Sequence, residues 1–349
     1  MSDEKTKLTI REVAKEAGVS RMTVTRVMRR DPLVTPKTRA AVEEVIKRLG
    51  YEPMHAARNL SSNTPRVIGV ISLRSAETEA MGLGSEYLNT LHLGALQVCN
   101  EANFGLIFFP SLDVESVDTY VRRVKARQVS GYVIAAPATE TPELIDALVR
   151  NNIPFSAINP AAPDNCPLNV LSNDRVAVRK LVEEMIRLGH RRIAFAGAGG
   201  HARASRERLA GYMDAVSGPG AGHQPAIVYE SAGIAFADGL AIGRKLFAQA
   251  SRPTAIQCIT DDMAAGVIAA AHERRLALPE ALSVSGFDNF GLAIRLYPAL
   301  STATLPLMAM TIAATRQVRD TIEGIAVDAS YVFECDVALR DSIGQAIGP

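Results

Sequence analysis

Tryptophan is absent from the 349 residues, aromatic residues make up only 5%, and there are four cysteines and six histidines. Cys99, Cys166, Cys258 and Cys335 stand far apart, with no Cys-x-x-Cys pair and no cysteine–histidine cluster at metal spacing. That pattern excludes a zinc finger and a dense disulfide framework, and four buried thiols are expected instead. No apolar run approaches the roughly 18 residues of a bilayer span, and the polar opening Met1-Ser-Asp-Glu-Lys-Thr-Lys7 lacks the hydrophobic segment of a secretory signal. A cytoplasmic protein is expected, with no membrane partner. Walker, Gly-x-Gly-x-x-Gly and Gly-x-Ser-x-Gly patterns are missing, and Gly197-Ala-Gly-Gly200 follows a strand but fails the phosphate-loop spacing. His190 reads as a structural turn histidine, so the sequence offers no enzyme, cofactor or metal site.

The length suggests two or three domains. Hydrophobic residues at 48% and charged residues at 21% describe a chain with ample core. Net charge is only +1, but residues 1–65 carry 13 Lys+Arg against 8 Asp+Glu, leaving the remainder mildly acidic. A basic head on an acidic body is the asymmetry expected when one end meets a polyanion.

Residues 9–50 read as three short helices. Thr9-Ile-Arg-Glu12 fits a capping box, Ile10, Val13, Ala14 and Ala17 share one helical face, and Gly18 stands where a left-handed exit is expected. The second helix opens with Ser20 as cap and turns Val24 and Val27 inward, leaving Arg21, Met22, Thr25 and Arg26 outward. The third begins with Thr35 as cap and Pro36 in its first turn, and stops at Gly50. Helix, three-residue turn, helix is the arrangement that sets the start of a second helix into the DNA major groove. Arg21, Met22 and Arg26 would then reach base edges, and Ser20 and Thr25 phosphates. Residues 54–60 are too short for a helix alone in water, and Ser61-Ser-Asn-Thr-Pro65 is linker chemistry.

Beyond Arg66, short apolar runs at 67–71, 106–109, 132–136, 155–158, 193–196, 227–229, 256–259 and 282–285 alternate with helical stretches at 87–103, 116–128, 175–188, 236–249, 263–274 and 307–323. Continuous apolar strands separated by helices imply parallel sheets covered on both faces. Two doubly wound α/β lobes fit this count better than one wide sheet, with a ligand between them at the carboxyl ends of strands. The expected division is an all-α helix-turn-helix headpiece at 1–50, a hinge and linker at 51–65, and a body at 66–349. Within the body the first lobe is assigned 66–171 and 301–327, and the second 172–300 and 328–349.

The order of motifs is specific. Leu8-Thr-Ile-Arg-Glu-Val-Ala-Lys-Glu-Ala-Gly-Val-Ser20, Thr23-Val-Thr-Arg-Val27, Val34-Thr-Pro-Lys-Thr-Arg39 and Leu49-Gly-Tyr-Glu-Pro53 resemble the headpiece of the lactose/galactose repressor family of bacterial transcription regulators. Val129-Ser-Gly131, Leu188-Gly-His-Arg-Arg-Ile193, Arg208-Leu-Ala-Gly-Tyr212, Thr260-Asp-Asp-Met263 and Ser283-Val-Ser-Gly-Phe-Asp288 continue the resemblance through the body. The resemblance implies a homodimeric or tetrameric repressor with a periplasmic-binding-protein-like body, operator DNA as partner and a small effector. The DNA-contacting set it implies is Thr9, Ser20, Arg21, Met22, Thr23, Thr25, Arg26, Thr35, His55, Ala57 and Leu60. Residues 54–60 would be a hinge helix folding on operator, with Ala57 permitting close approach of two hinges and Leu60 wedging into the minor groove.

For the effector, the resemblance points to Asn159, Arg208, Ile234, Asp261 and Asp288. A guanidinium fork and carboxylates suit the hydroxyls of a carbohydrate. Three departures keep the ligand open: Asp261-Asp262 where an Asn often precedes the Asp, Ala135 where a polar residue is common, and Ile234 where an aromatic ring often stacks on a sugar. A sugar, a larger oligosaccharide and a sugar acid all remain candidates. The rival reading is a sugar-binding or sugar-processing protein whose basic head is not a regulator, and residues 8–60 discriminate between them.

Overall fold

In the computed structural model the described residues are 9–28, 31, 33–51, 65–72, 85–109, 117–199, 202–220 and 225–346. The chain forms two compact units, Met1–Pro65 and Arg66–Pro349.

The first unit holds α1 (Ile10–Glu16), α2 (Arg21–Met28) and α3 (Pro36–Leu49). Its core is Val13, Ala14, Val24, Val27, Val42, Val45 and Tyr51. The expected caps are present. The Thr9 N–H donates to the Glu12 carboxylate at 2.6 Å, the Ser20 hydroxyl accepts from the Thr23 N–H at 3.0 Å, and the Thr35 hydroxyl from the Thr38 N–H at 3.3 Å. Gly18 and Gly50 both take positive φ, so each helix exit falls where a side chain would be strained.

The second unit contains two six-stranded sheets. One is built from β1 (Val67–Ser72), β2 (Gly105–Phe109), β3 (Gly131–Ala135), β4 (Phe155–Ile158), β5 (Asn169–Ser172) and β11 (Ser330–Phe333), in the order β11-β5-β4-β3-β1-β2, all parallel. The other comprises β6 (Ile193–Ala198), β7 (Ile227–Ser231), β8 (Ala255–Cys258), β9 (Ser283–Asp288), β10 (Ser301–Thr304) and β12 (Asp336–Ala338). Its order is β12-β10-β9-β8-β6-β7, parallel except for the antiparallel edge pair β10 and β12. Strand β1 is buried along nearly its whole length, as a strand covered on both faces must be.

Nine helices among the described residues complete this unit: α4 (Ser85–Ala102), α5 (Val117–Lys125), α6 (Pro142–Arg150), α7 (Asp174–Arg187), α8 (Arg203–Val216), α9 (Phe236–Phe247), α10 (Asp261–Glu273), α11 (Gly291–Arg295) and α12 (Leu307–Glu323). Helices α9 and α10 meet backbone to backbone, because a Cβ on Gly266 would lie 2.1 Å from the Phe236 carbonyl oxygen.

The chain passes between the sheets three times, at 172–174, 304–307 and 333–336. Two segments therefore lie differently from the sequence division. Residues 301–304, grouped there with the first lobe, pair with β9 and β12 in the second sheet. Residues 330–333, grouped with the second lobe, pair with β5 in the first. Both strands are short and carry no long apolar run, so sequence alone does not show which sheet they join.

Candidate functional site

In the headpiece, α2 is anchored by Val24 and Val27, whose burial fixes the rotation of the helix. One turn away Arg21, Met22 and Arg26 are exposed, Met22 at 64%. A large thioether left bare beside two guanidinium groups suits apolar and hydrogen-bonding contact with base edges. Arg26 lies 3.7 Å from Asp31, an exposed ion pair of little stabilising value. Ser20 and Thr23 are bonded to each other at 2.9 Å, Thr25 donates to the Arg21 carbonyl, and Thr35 and Thr38 hydroxyls pair at 2.9 Å. The threonines and Ser20 thus help to build the helix ends as well as offering hydroxyls. His55, Ala57 and Leu60, with the expected hinge helix at 54–60, lie outside the described residues.

In the body, a cluster of charged side chains gathers where strands of the second sheet end and the chain crosses between lobes. Helix α8 approaches α7 so closely that a Cβ on Gly211 would meet the Arg175 carbonyl oxygen at 2.3 Å. This brings Arg208, on α8, against Asp174 in the first turn of α7. Arg208 is 5% exposed. Its Nε donates to Asp174 Oδ2 at 2.8 Å, its Nη1 donates to the Ile259 carbonyl at 2.7 Å, and Nη1 lies 3.7 Å from Asp288 Oδ1. The guanidinium stacks on the Phe287 ring, 3.6 Å from its centroid. Burial works against the charge on Arg208, but Asp174 and Asp288 outweigh it and the group is held firmly protonated. Asp174 is itself held by the Ser172 hydroxyl at the first crossover.

Asp261 opens α10, whose cap is Thr260, accepting from the Met263 N–H at 3.1 Å. Its carboxylate accepts from the Thr302 hydroxyl at 2.6 Å and the Asn289 N–H at 2.8 Å. Burial pushes its pKa up to about 7 against these two hydrogen bonds and the pull of Arg208. Asp288 ends β9 with φ 122, and burial drives its carboxyl well above the ordinary range, Arg208 opposing and Asp261, Asp262 and Asp174 reinforcing. Asp262 is also raised, by burial first and then by Glu86.

The structure thus brings Arg208, Asp261 and Asp288 together and leaves the other two expected effector residues differently engaged. The Asn159 amide is bonded twice to Ser172, donating to its hydroxyl at 2.8 Å and accepting from its N–H at 2.9 Å. It ties the ends of β4 and β5 to one another. Ile234 is 47% exposed, and its carbonyl accepts from the Thr260 hydroxyl at 2.7 Å.

Two residues of the cluster, Asp174 and Tyr87, escaped sequence reasoning, and two more, Asp262 and Phe287, stood in the quoted motifs without an assigned role. Asp174 reads as an ordinary first-turn acid, and Phe287 as strand core. Tyr87, in the first turn of α4 on the other lobe, has its phenol pKa raised by burial and then by Asp288, which puts it across the cleft from that carboxylate. Beside it, Glu86 joins Arg295 of α11 at 2.5 Å, an ion pair between the lobes. Only the cross-lobe contact reveals Tyr87, since its helix reads simply as amphipathic.

The description "Bacterial regulatory proteins, lacI family" matches residues 9–54, and "Periplasmic binding protein-like domain" matches residues 182–343. Among curated proteins, catabolite control protein A of Priestia megaterium is 28% identical over 331 residues, covering 93% of this chain and 96% of that protein. The chain shares its fold with a lac repressor dimer bound to operator and the anti-inducer ONPF, at a TM-score of 0.79 and 22% identity, covering 97% of this chain and 99% of the other. It also shares the fold of the transcriptional regulator CelR in complex with cellobiose, at a TM-score of 0.71 and 23% identity, covering 96% and 99%.

Proposed function

We propose that the chain is a member of the lacI family of bacterial regulatory proteins and a ligand-responsive transcription repressor, binding a pseudopalindromic operator as a homodimer under control of a small carbohydrate held between its lobes. The observation that carries the reading is α2: a capped helix, rotationally fixed by Val24 and Val27, that leaves Arg21, Met22 and Arg26 bare. Arg26 is suited to a bidentate pair with guanine, and Met22 to a thymine methyl. The chemistry of the body suits a binding site, with Arg208 held by carboxylates and a carbonyl at the strand ends. Such a regulator works in the cytoplasm, where the chromosome is.

A homodimer fits an apolar face of the second lobe. A groove of about 450 Å³ runs between α9, α10 and α11, with Phe236, Leu292, Leu296 and Tyr297 in its wall. Tyr297 at 88% and its neighbour Ile294 at 65% are exposed. Large apolar side chains bare on one face are suited to isologous pairing with a second copy.

The test is selection of operator from random duplex DNA by the full chain, followed by fluorescence anisotropy with wild type and the double variant Arg21→Ala/Arg26→Ala. Wild type should enrich an inverted repeat, and the double variant should bind it at least about 30-fold more weakly, two base contacts at about 1–3 kcal/mol each. Enrichment of no sequence, or equal binding by the two proteins, would defeat the repressor reading.

A further inference from the structure

The cleft cluster has an unequal balance of charge. On its second-lobe side stand Asp261, Asp262 and Asp288, with Asp174 at the crossover and Glu86 facing them from α4. The cation acting on both Asp261 and Asp288 is Arg208. That guanidinium is already engaged: its Nε is bonded to Asp174, its Nη1 to the Ile259 carbonyl and toward Asp288, and one of its planar faces is covered by Phe287. Asp174 and Asp288 both act on its charge. The neighbouring arginine of α11, Arg295, is likewise engaged, by Glu86 at 2.5 Å.

The first lobe carries a neutral polar group beyond the carboxyl end of β3. Thr139, in the turn that follows the carboxyl end of β3, is 3% exposed, and its hydroxyl is a buried side-chain oxygen with no hydrogen-bond partner. Buried hydroxyls are seldom left unpaired, and one at the ligand end of a parallel sheet points to a hydrogen-bonding occupant. Carboxylates and a hydroxyl are acceptors and donors for ligand O–H groups. Toward a ligand carboxylate or phosphate the carboxylates are repulsive in a site shielded from water.

We propose that the cleft is charge-selective, admitting an uncharged, hydroxyl-bearing effector and rejecting the anionic form of the same molecule. This rests on the cleft being the effector site, and it removes the sugar acid from the candidates. An anionic ligand would meet Asp261, Asp262 and Asp288, while Arg208 and Arg295 are held by carboxylates, Arg340 by the Leu300 carbonyl and the Asn289 side chain, and Arg206 by the Ala161 carbonyl.

The test runs on the full chain at pH 8 with neutral compounds and their anionic counterparts: galactose with galacturonate, cellobiose with cellobiouronate, and adenosine with adenosine 5′-monophosphate, each read by thermal shift and calorimetry. For any pair that binds, the neutral member should bind about 100-fold or more tightly than the anionic one. An anionic member binding as well as its neutral partner overturns the proposal. If only the nucleoside pair responds, the carbohydrate reading falls while charge selectivity is judged on that pair.

A second arm needs no ligand. The folded-state pKa of Asp288 is raised, so the folded protein binds the proton more tightly, and this carboxyl costs stability increasingly as pH rises above its unfolded value. Asp288→Asn should therefore raise the melting temperature at pH 8 by several degrees, and the gain should shrink as pH falls and be gone only below about pH 4, the unfolded carboxyl value. A fall in melting temperature at pH 8, or a gain independent of pH, would mean the carboxylate is compensated and would overturn the proposal even if no compound binds.

Discussion

Replacing Asp174 with alanine tests whether Arg208 is held by the protein's own framework. The substitution removes the 2.8 Å bond from Arg208 Nε and the partner of the Ser172 hydroxyl, both in buried surroundings. A hydrogen bond to a charged group contributes about 1.5–3 kcal/mol, and deleting one member of a buried ion pair costs about 3–5 kcal/mol. Arg208 keeps the Ile259 carbonyl and Asp288 at 3.7 Å, so the lower end applies, about 3 kcal/mol. For a unit of this size that corresponds to a fall of about 5 °C in melting temperature. Differential scanning calorimetry of wild type, Asp174→Ala, Arg208→Met and the double variant completes a cycle. The coupling should be about 2 kcal/mol, since removing both charges leaves neither unpaired. A loss under about 1 kcal/mol for Asp174→Ala, simply additive with Arg208→Met, would show that the pair is not a strut and that the guanidinium is available to a ligand.

Three further outcomes follow from particular contacts. Gly266→Ala should destabilise by about 2 kcal/mol in urea denaturation, because the Cβ would sit 2.1 Å from the Phe236 carbonyl, and a stabilised variant would deny the close contact of α9 and α10. His190 bonds Thr254 at 2.9 Å and Gly344 at 3.1 Å, and burial lowers its pKa in the fold, so the unfolded chain takes up its proton first. Its contribution is therefore whole above about pH 6.5 and declines as pH falls through that value. The stability difference between wild type and His190→Gln should narrow from pH 8 to 5.5; Asp261 and Asp288 titrate in the opposite sense in both proteins and cancel in that difference. Tyr297→Asp, on an apolar face, should yield monomers in sedimentation equilibrium at concentrations where the wild type is dimeric, and an unchanged association constant would move the interface elsewhere.

The headpiece was legible almost residue by residue, because its determinants are local: Thr9, Ser20 and Thr35 as caps, Gly18 and Gly50 as exits, and one apolar stripe per helix. The eight strands expected in the body are all present, since each is dominated by apolar residues, with single buried polar ones such as Ser156, Gln257 and Ser283 inside them. Strand β10, Ser301–Thr304, was invisible for a physical reason. Its hydroxyls are buried by bonding to Asp261 and the Arg340 carbonyl, so polar residues occupy the core without an apolar pattern. Strands β11 and β12 lie at sheet edges with exposed faces, where hydrophobicity is not required. Helices α6 and α8 were not among the expected elements, although Leu144, Ile145 and Leu148 of α6 do form a buried face. At the site, the motifs named Arg208, Asp261 and Asp288, but the partners that decide their chemistry come from distant elements. Asp174 is 34 residues from Arg208 and Thr302 is 41 from Asp261, and no local pattern encodes those contacts.

In the proposed function the DNA-reading head and the ligand-binding body form one switch. Calorimetric titration of the effector found by the matched panel, against free protein and against protein saturated with selected operator, measures this directly. Linkage requires the effector to bind the two forms with different affinities, by the same factor as it changes operator affinity. A factor of about 5–150 is the usual range for such coupling. Equal effector affinity with and without operator would contradict the account.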